Sequence, residues 1–349
     1  MAYISFQPKD HFNTKLYTGT GSSQVLTGVG FQPDFIWTKT RNEAEIHCLN
    51  TTVQGINNYL RSNDVDTLET SGSNITAQSS DGYTVGTEDR FNQSSNTFVS
   101  WNWKANGQGS SNTDGSINTT YTSANTTSGF SISTYTGTGA NATVGHGLGA
   151  APKVVLIKQT NGTAWWFMYH NDLGTTGKLN LNTTGYNNDL QASYWNSTAP
   201  SSSVFSLGTE ASVNGSSQNF VAYCFAEKTG FSKFGSYTGN GNADGPMIYT
   251  GFKPAFVMVK NTATTSSWYM YDNKRPSVYN PNGTVLFANE STAESTNIAS
   301  AEHPIDFLSN GFKIRTTSSA RNGNGNKIIF MCFAEAPLVG SNNVPANAR

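Results

Sequence analysis

The sequence predicts an all-β protein made of three tandem antiparallel β-sandwiches of lectin-like, jelly-roll character. The first observation behind this is compositional. Of 349 residues, 12% are charged and 36% hydrophobic, against typical values of about 25% and 45–50%, and Asn, Ser, Thr and Gly make up the difference. Such a chain turns often, and no apolar stripe of helical period runs for three turns. The second observation is a block that occurs three times. It opens at Leu16-Tyr17-Thr18-Gly19-Thr20-Gly21, Thr134-Tyr135-Thr136-Gly137-Thr138-Gly139 and Ser236-Tyr237-Thr238-Gly239-Asn240-Gly241. An apolar strand follows each opening: Pro33-Asp34-Phe35-Ile36-Trp37, Pro152-Lys153-Val154-Val155-Leu156 and Pro254-Ala255-Phe256-Val257-Met258. The third observation is a shared closure, in which Thr97-Phe98-Val99-Ser100-Trp101 corresponds to Asn219-Phe220-Val221-Ala222-Tyr223 and to Lys327-Ile328-Ile329-Phe330-Met331.

The interval is 119 residues from Lys39 to Lys158 and 102 from Lys158 to Lys260. A unit that long can bury a core of its own, so the chain reads as three beads and not as a solenoid. In order, the expected parts are an N-terminal arm (1–15), a first sandwich (16–106), a linker (107–128), a second sandwich (129–228), a third (229–336) and a C-terminal arm (337–349). The linker is the one long Gly/Ser/Asn/Thr-rich stretch and accounts for the longer first interval. The junction at Phe225-Ala226-Glu227-Lys228-Thr229-Gly230 is tight, so the second and third beads should pack closely. Within the beads, Ser80-Asp81-Gly82-Tyr83 and Ser309-Asn310-Gly311-Phe312 carry hairpin chemistry. The second bead has only Ser203-Val204-Phe205-Ser206-Leu207 there, without the turn glycine.

Several function classes fall away. The net charge is −1 with scattered cations, so phosphates meet no basic stripe and nucleic acid is not an expected partner. No run of about 18 apolar residues is present, so no membrane insertion is expected. The glycine-rich openings lack a following helix and a Gly-Lys-Ser/Thr, and read as tight turns. His146 and His170 have no clustered ligands, so neither metal nor cofactor is expected. Cys224 and Cys332 hold equivalent places in the second and third beads, where the first has Asn102, and read as small buried apolar residues of a chain made in a reducing cytosol. Carboxylates form no converging pair, which leaves a polysaccharide depolymerase as a remote alternative and no catalytic residue to name.

Aromatics beside Asn and Asp are the better candidates for function. Trp165, Tyr169 and His170 follow the central strand of the second bead, and Trp268 and Tyr271 that of the third. Flat rings that cover a pyranose face while amides and carboxylates bond its hydroxyls are how proteins grip sugars, so these five are the glycan-contact candidates. The plain alternative is that alternate residues of such strands fill the core.

With Tyr17-Thr18-Gly19-Thr20-Gly21, Gly30-Phe31-Gln32-Pro33-Asp34-Phe35, Trp101-Asn102-Trp103-Lys104, His146-Gly147-Leu148-Gly149-Ala150-Ala151-Pro152 and Tyr223-Cys224-Phe225-Ala226-Glu227, the chain resembles a family of virion proteins of tailed, often marine, bacteriophages, some described as tail-fibre or lectin-like proteins. The resemblance implies a non-enzymatic structural protein of the virion surface, made in the host bacterial cytoplasm. As a tail fibre or appendage its partners would be other virion proteins, further copies of itself (a homotrimer by analogy) and a host surface glycan. A capsid decoration or head-fibre protein is the alternative that the same resemblance allows.

Overall fold

The computed structural model describes residues 6–296 and 304–337; the expected C-terminal arm lies, beyond Pro337, outside the described residues. The chain is all-β, with 40% strand against 8% helix, and its strands form several antiparallel sheets. Each repeat contributes one main sheet, in which an opening strand pairs with the closing strand and the closing strand with the central one. The opening strands are Phe12–Thr18, Phe130–Thr136 and Ser232–Thr238; the closing strands are Thr97–Trp103, Asn219–Phe225 and Lys327–Pro337. The registers superpose the repeats: Phe12 faces Trp103, Phe130 faces Phe225 and Ser232 faces Phe333. The first opening strand therefore starts inside the stretch expected to be an N-terminal arm.

A smaller sheet covers the outer face of each main sheet. It has three strands in the first and third repeats, where Gly82–Val85 and Gly311–Ile314 return from an Asp-Gly or Asn-Gly turn. In the second repeat, among the described residues, Val204–Leu207 pairs only with Ala142–Gly145. The missing turn glycine and the missing third strand coincide, as hairpin chemistry requires.

The Tyr-Thr-Gly-X-Gly openings clasp the end of each repeat. Tyr17, Tyr135 and Tyr237 donate their hydroxyls to Phe91, Val213 and Arg321 carbonyls at 2.7, 2.6 and 2.8 Å, on one-turn helices. Gly21, Gly139 and Gly241, at φ of 71°, 74° and 67°, donate to Asn92, Asn214 and Asn322 carbonyls. That backbone conformation favours glycine, so the thrice-repeated motif has a structural cause.

The inner faces of the three main sheets meet. Trp37, Trp101 and Trp103 of the first repeat, Tyr223 and Phe225 of the second, and Phe256, Met331 and Phe333 of the third belong to one buried cluster. Three further clusters lie under the outer sheets, one per repeat. The central strands Phe35–Thr40, Val154–Gln159 and Phe252–Asn261 are thus covered on both faces, which is why they read as nearly continuous apolar runs. Each repeat owns an outer core, while its inner face is completed by the other two.

The repeats close into a ring through one bond made three times. Leu68 N donates to Thr160 O at 2.9 Å, Asn187 N to Thr262 O at 3.2 Å, and Glu294 N to Arg41 O at 2.7 Å. Each is a loop of one repeat meeting the end of the central strand in the next, and the third bond returns from repeat three to repeat one. Side chains follow the same path: Trp166 donates its Nε1–H to Arg61 O at 2.7 Å, and Trp268 to Asn180 O at 3.0 Å.

The stretch expected as a linker, 107–128, is structured. Tyr121–Asn125 pairs with the opening strand of the second repeat and extends its main sheet, while Ile117 bridges to Val144 of the outer sheet. Its polar residues satisfy one another and the adjoining edges, so low hydrophobicity does not mean a free tether here.

Candidate functional site

Four of the five aromatic candidates are core. The strands Phe167–His170 and Tyr269–Asp272 sit inside main sheets covered on both sides, so neither side of the alternation meets water. Tyr169 is 2% exposed and packs edge-on against Trp195, and Trp268 is 1% exposed with its indole bonded to Asn180. Tyr271 is 1% exposed, and its hydroxyl accepts from Arg321 Nη1 at 2.7 Å. His170 is fully buried: its Nδ1 accepts from Asp172 N at 3.2 Å, its Nε2 faces Phe330 O at 3.4 Å, and burial pushes its pKa down to about 4. His170 and Trp268 bond across to another repeat, Tyr169 and Tyr271 pack within their own, and none of the four is presented to a glycan. His146 is likewise buried, its Nδ1 accepting from Leu148 N.

Trp165 stands apart. It precedes the strand by two positions and is 52% exposed, while Trp166 between them is buried. Lys178 Nζ lies 5.9 Å from its ring centroid, and also 5.5 and 5.6 Å from the rings of Phe167 and Tyr194. The ammonium donates to Asn180 Oδ1 at 2.9 Å and lies 3.7 Å from Asp189 Oδ2. Asp189 accepts from the Tyr194 hydroxyl and from Gln191 Nε2 at 2.7 Å. The Tyr194 hydroxyl, with smaller help from Gln191 and Lys178, holds the Asp189 carboxyl below its ordinary range, while burial lowers the Lys178 ammonium. A flat ring thus stands beside an ammonium that is itself held by an amide and a charged acceptor. Such a set can stack on an apolar ring face and bond neighbouring hydroxyls. Ile46 and Ser267 take the place of Trp165 in the other repeats, so the platform belongs to the second repeat alone.

A second surface feature escaped sequence reasoning. An open cleft of about 540 Å³ runs between the second and third repeats, with Lys153, Asp172 and Glu227 on its walls and the opening strand of repeat three along one side. Tyr249 and Met247 on its rim are 58% and 42% exposed. The signal was in Met247-Ile248-Tyr249, where an inward Ile248 obliges both neighbours to face out.

Among the described residues no group of three or more His, Cys, Asp or Glu is placed to hold a metal ion, and no helix is long and apolar enough to cross a membrane. Cys48, Cys224 and Cys332 are buried free thiols, pushed up in pKa by that burial. No curated protein sequence matches the chain. A profile described as a domain of unknown function (DUF7483) matches residues 7–337, a span that takes in all three repeats and the excursion between the first two. The chain belongs to the DUF7483 family.

Proposed function

We propose that the chain is a non-enzymatic structural component of a bacteriophage particle, a tail appendage on the virion surface that touches host envelope glycans through the Trp165 platform. The observation that carries the reading is the half-exposed Trp165 ring beside the Lys178 ammonium, which Asp189 approaches to 3.7 Å. The sequence motifs shared with phage virion proteins supply the setting, and a closed ring of sheets supplies a rigid mount. Other virion proteins and further copies of the chain, in a homotrimer, are its partners in this reading. Light scattering that found only monomer at micromolar concentration would remove the trimer.

Burial of four of the five aromatic candidates favours one second reading, a capsid decoration or head-fibre protein that needs no ligand. Replacing Trp165 with Ala separates the two. Loss of ring stacking is worth about 1 kcal/mol per site, multiplied by avidity where several copies bind together. The appendage reading predicts particles that assemble but adsorb poorly to host cells; unchanged adsorption with normal assembly moves the assignment to decoration.

A further inference from the structure

The three opening strands are equivalent, but their outer edges are not. In the second repeat, Tyr121–Asn125 covers the edge of Phe130–Thr136, with Ser123 opposite Ile132 and Asn125 opposite Phe130. The same excursion covers the outer sheet, where Ile117 N donates to Thr143 O at 3.0 Å. In the third repeat, among the described residues, Ser232–Thr238 pairs on one side only, and so does Met247–Tyr249. These two edges line the cleft between the second and third repeats. The cause is chain length: Phe225 passes into the next opening strand within a few residues, and nothing is left over to do what 106–125 does.

Along Ser232–Thr238 the alternation is fixed by its neighbours. Gly239 N donates to Asn326 O and Ala334 N to Phe231 O, so odd-numbered residues bond the closing strand and even-numbered ones face the cleft. Ser232 N is taken by Lys228 O at 2.9 Å. Phe234 and Ser236 therefore turn main-chain donors and acceptors into the cleft, at the positions of Ile132 and Thr134 in the covered repeat. Such an edge is a template for another strand.

We propose that this cleft is a docking groove for an extended strand of a partner polypeptide, which adds antiparallel to Ser232–Thr238. The covered junction shows the occupant's chemistry: small polar side chains along the main-sheet edge and one branched apolar residue at the outer edge, as Ile117 provides. Charge agrees. Lys153 and Lys233 on the walls are offset by Asp172 and Glu227, with Lys233 3.2 Å from Glu227, so the lining carries no net charge and suits an uncharged strand. Docking here is independent of the Trp165 platform.

The test uses the full chain and a synthetic peptide with the sequence of residues 115–125. Amide exchange at Phe234 and Ser236 should slow about tenfold at saturating, millimolar peptide, because exchange then requires release of the strand. The same peptide N-methylated at the positions of Ser123 and Asn125, whose amides face the covered edge, should lose the effect. No slowing at millimolar peptide overturns the proposal. Equal slowing by the methylated peptide also overturns it, since side chains and not the edge would then be the contact. Amides of Phe234 and Ser236 already protected in the absence of peptide, together with dimers in light scattering, replace the partner by a second copy of this chain.

Discussion

The inner and outer faces of the main sheets are built from the same strands and obey different rules. Outer faces are local: Phe91 and Tyr83 pack under the first repeat's own small sheet, Phe205 and Val213 under the second's, Phe307 and Phe312 under the third's. Inner faces are shared, and Trp101 is completed only by another repeat. Its indole donates to Asp272 Oδ2 at 2.9 Å, and its ring lies 5.3 Å from the Arg275 guanidinium and 5.7 Å from the Phe256 ring, all in repeat three. A domain-length period thus does not make a repeat autonomous. Autonomy depends on how many of its apolar faces it can cover by itself.

The largest expected effect is at the shared face. Trp101→Ala should destabilise by about 5 kcal/mol, combining cavity formation with loss of a donor to a buried carboxylate. Denaturant unfolding followed by near- and far-ultraviolet dichroism should shift as one transition; unfolding confined to a third of the signal would break the comparison.

Next comes the buried ion network that ties repeat one to repeat three. Arg275 pairs with Asp272 at 2.5 Å and with Glu294 at 3.0 Å, and Glu294 in turn holds Arg41 at 2.8 Å. Arg275→Met should cost about 3 kcal/mol because Asp272 loses its cation and stays buried. An urea midpoint unmoved by this change would show that the ring closure contributes nothing to stability.

Smaller, and specific in sign, is a pH effect from two equivalent lysines that reach across junctions. Lys158 donates to Val65 O at 3.1 Å, and Lys260 to Thr184 O at 3.0 Å. Burial lowers them to about 8 and about 7, from an ordinary 10.5. Between those values the unfolded chain binds more protons than the folded one, so stability rises with pH across this window and is lost as pH falls toward neutral. Urea midpoints taken between neutral pH and about pH 10 should climb, and Lys158→Met with Lys260→Met should flatten the slope. The smallest effect is Tyr223→Phe. The hydroxyl is fully buried and finds no hydrogen-bond partner among the described residues, beside an apolar void of about 20 Å³. Thermal denaturation should show a change within about 1 kcal/mol, toward greater stability.

Much of the architecture was legible in the sequence. Repeated openings, central strands and closures all take the places their order implied, and the Asp-Gly and Asn-Gly turns marked where outer sheets gain a third strand. The ring was not read, although its signal was present: Phe256-Val257-Met258-Val259 is apolar at every position, so both faces of that sheet must be covered. The same fact misdirected the choice of site residues. Alternation tells a core face from a wet face only when one face is wet, and Tyr169, His170 and Tyr271 lie on strands with none. Trp268 and its equivalent Trp166 precede their strands and turn into the shared core, whereas Trp165, one position earlier, stays half-exposed. The pairing of Tyr121–Asn125 depends on an edge far along the chain, and no local pattern in that polar stretch records it.

Scanning calorimetry of the full chain addresses the shared core directly. With inner faces completed only in the ring, heat should unfold all three repeats in one transition, with equal calorimetric and van 't Hoff enthalpies. Two or three resolved transitions, each with the van 't Hoff enthalpy of a single repeat, would contradict the account and restore three independent beads.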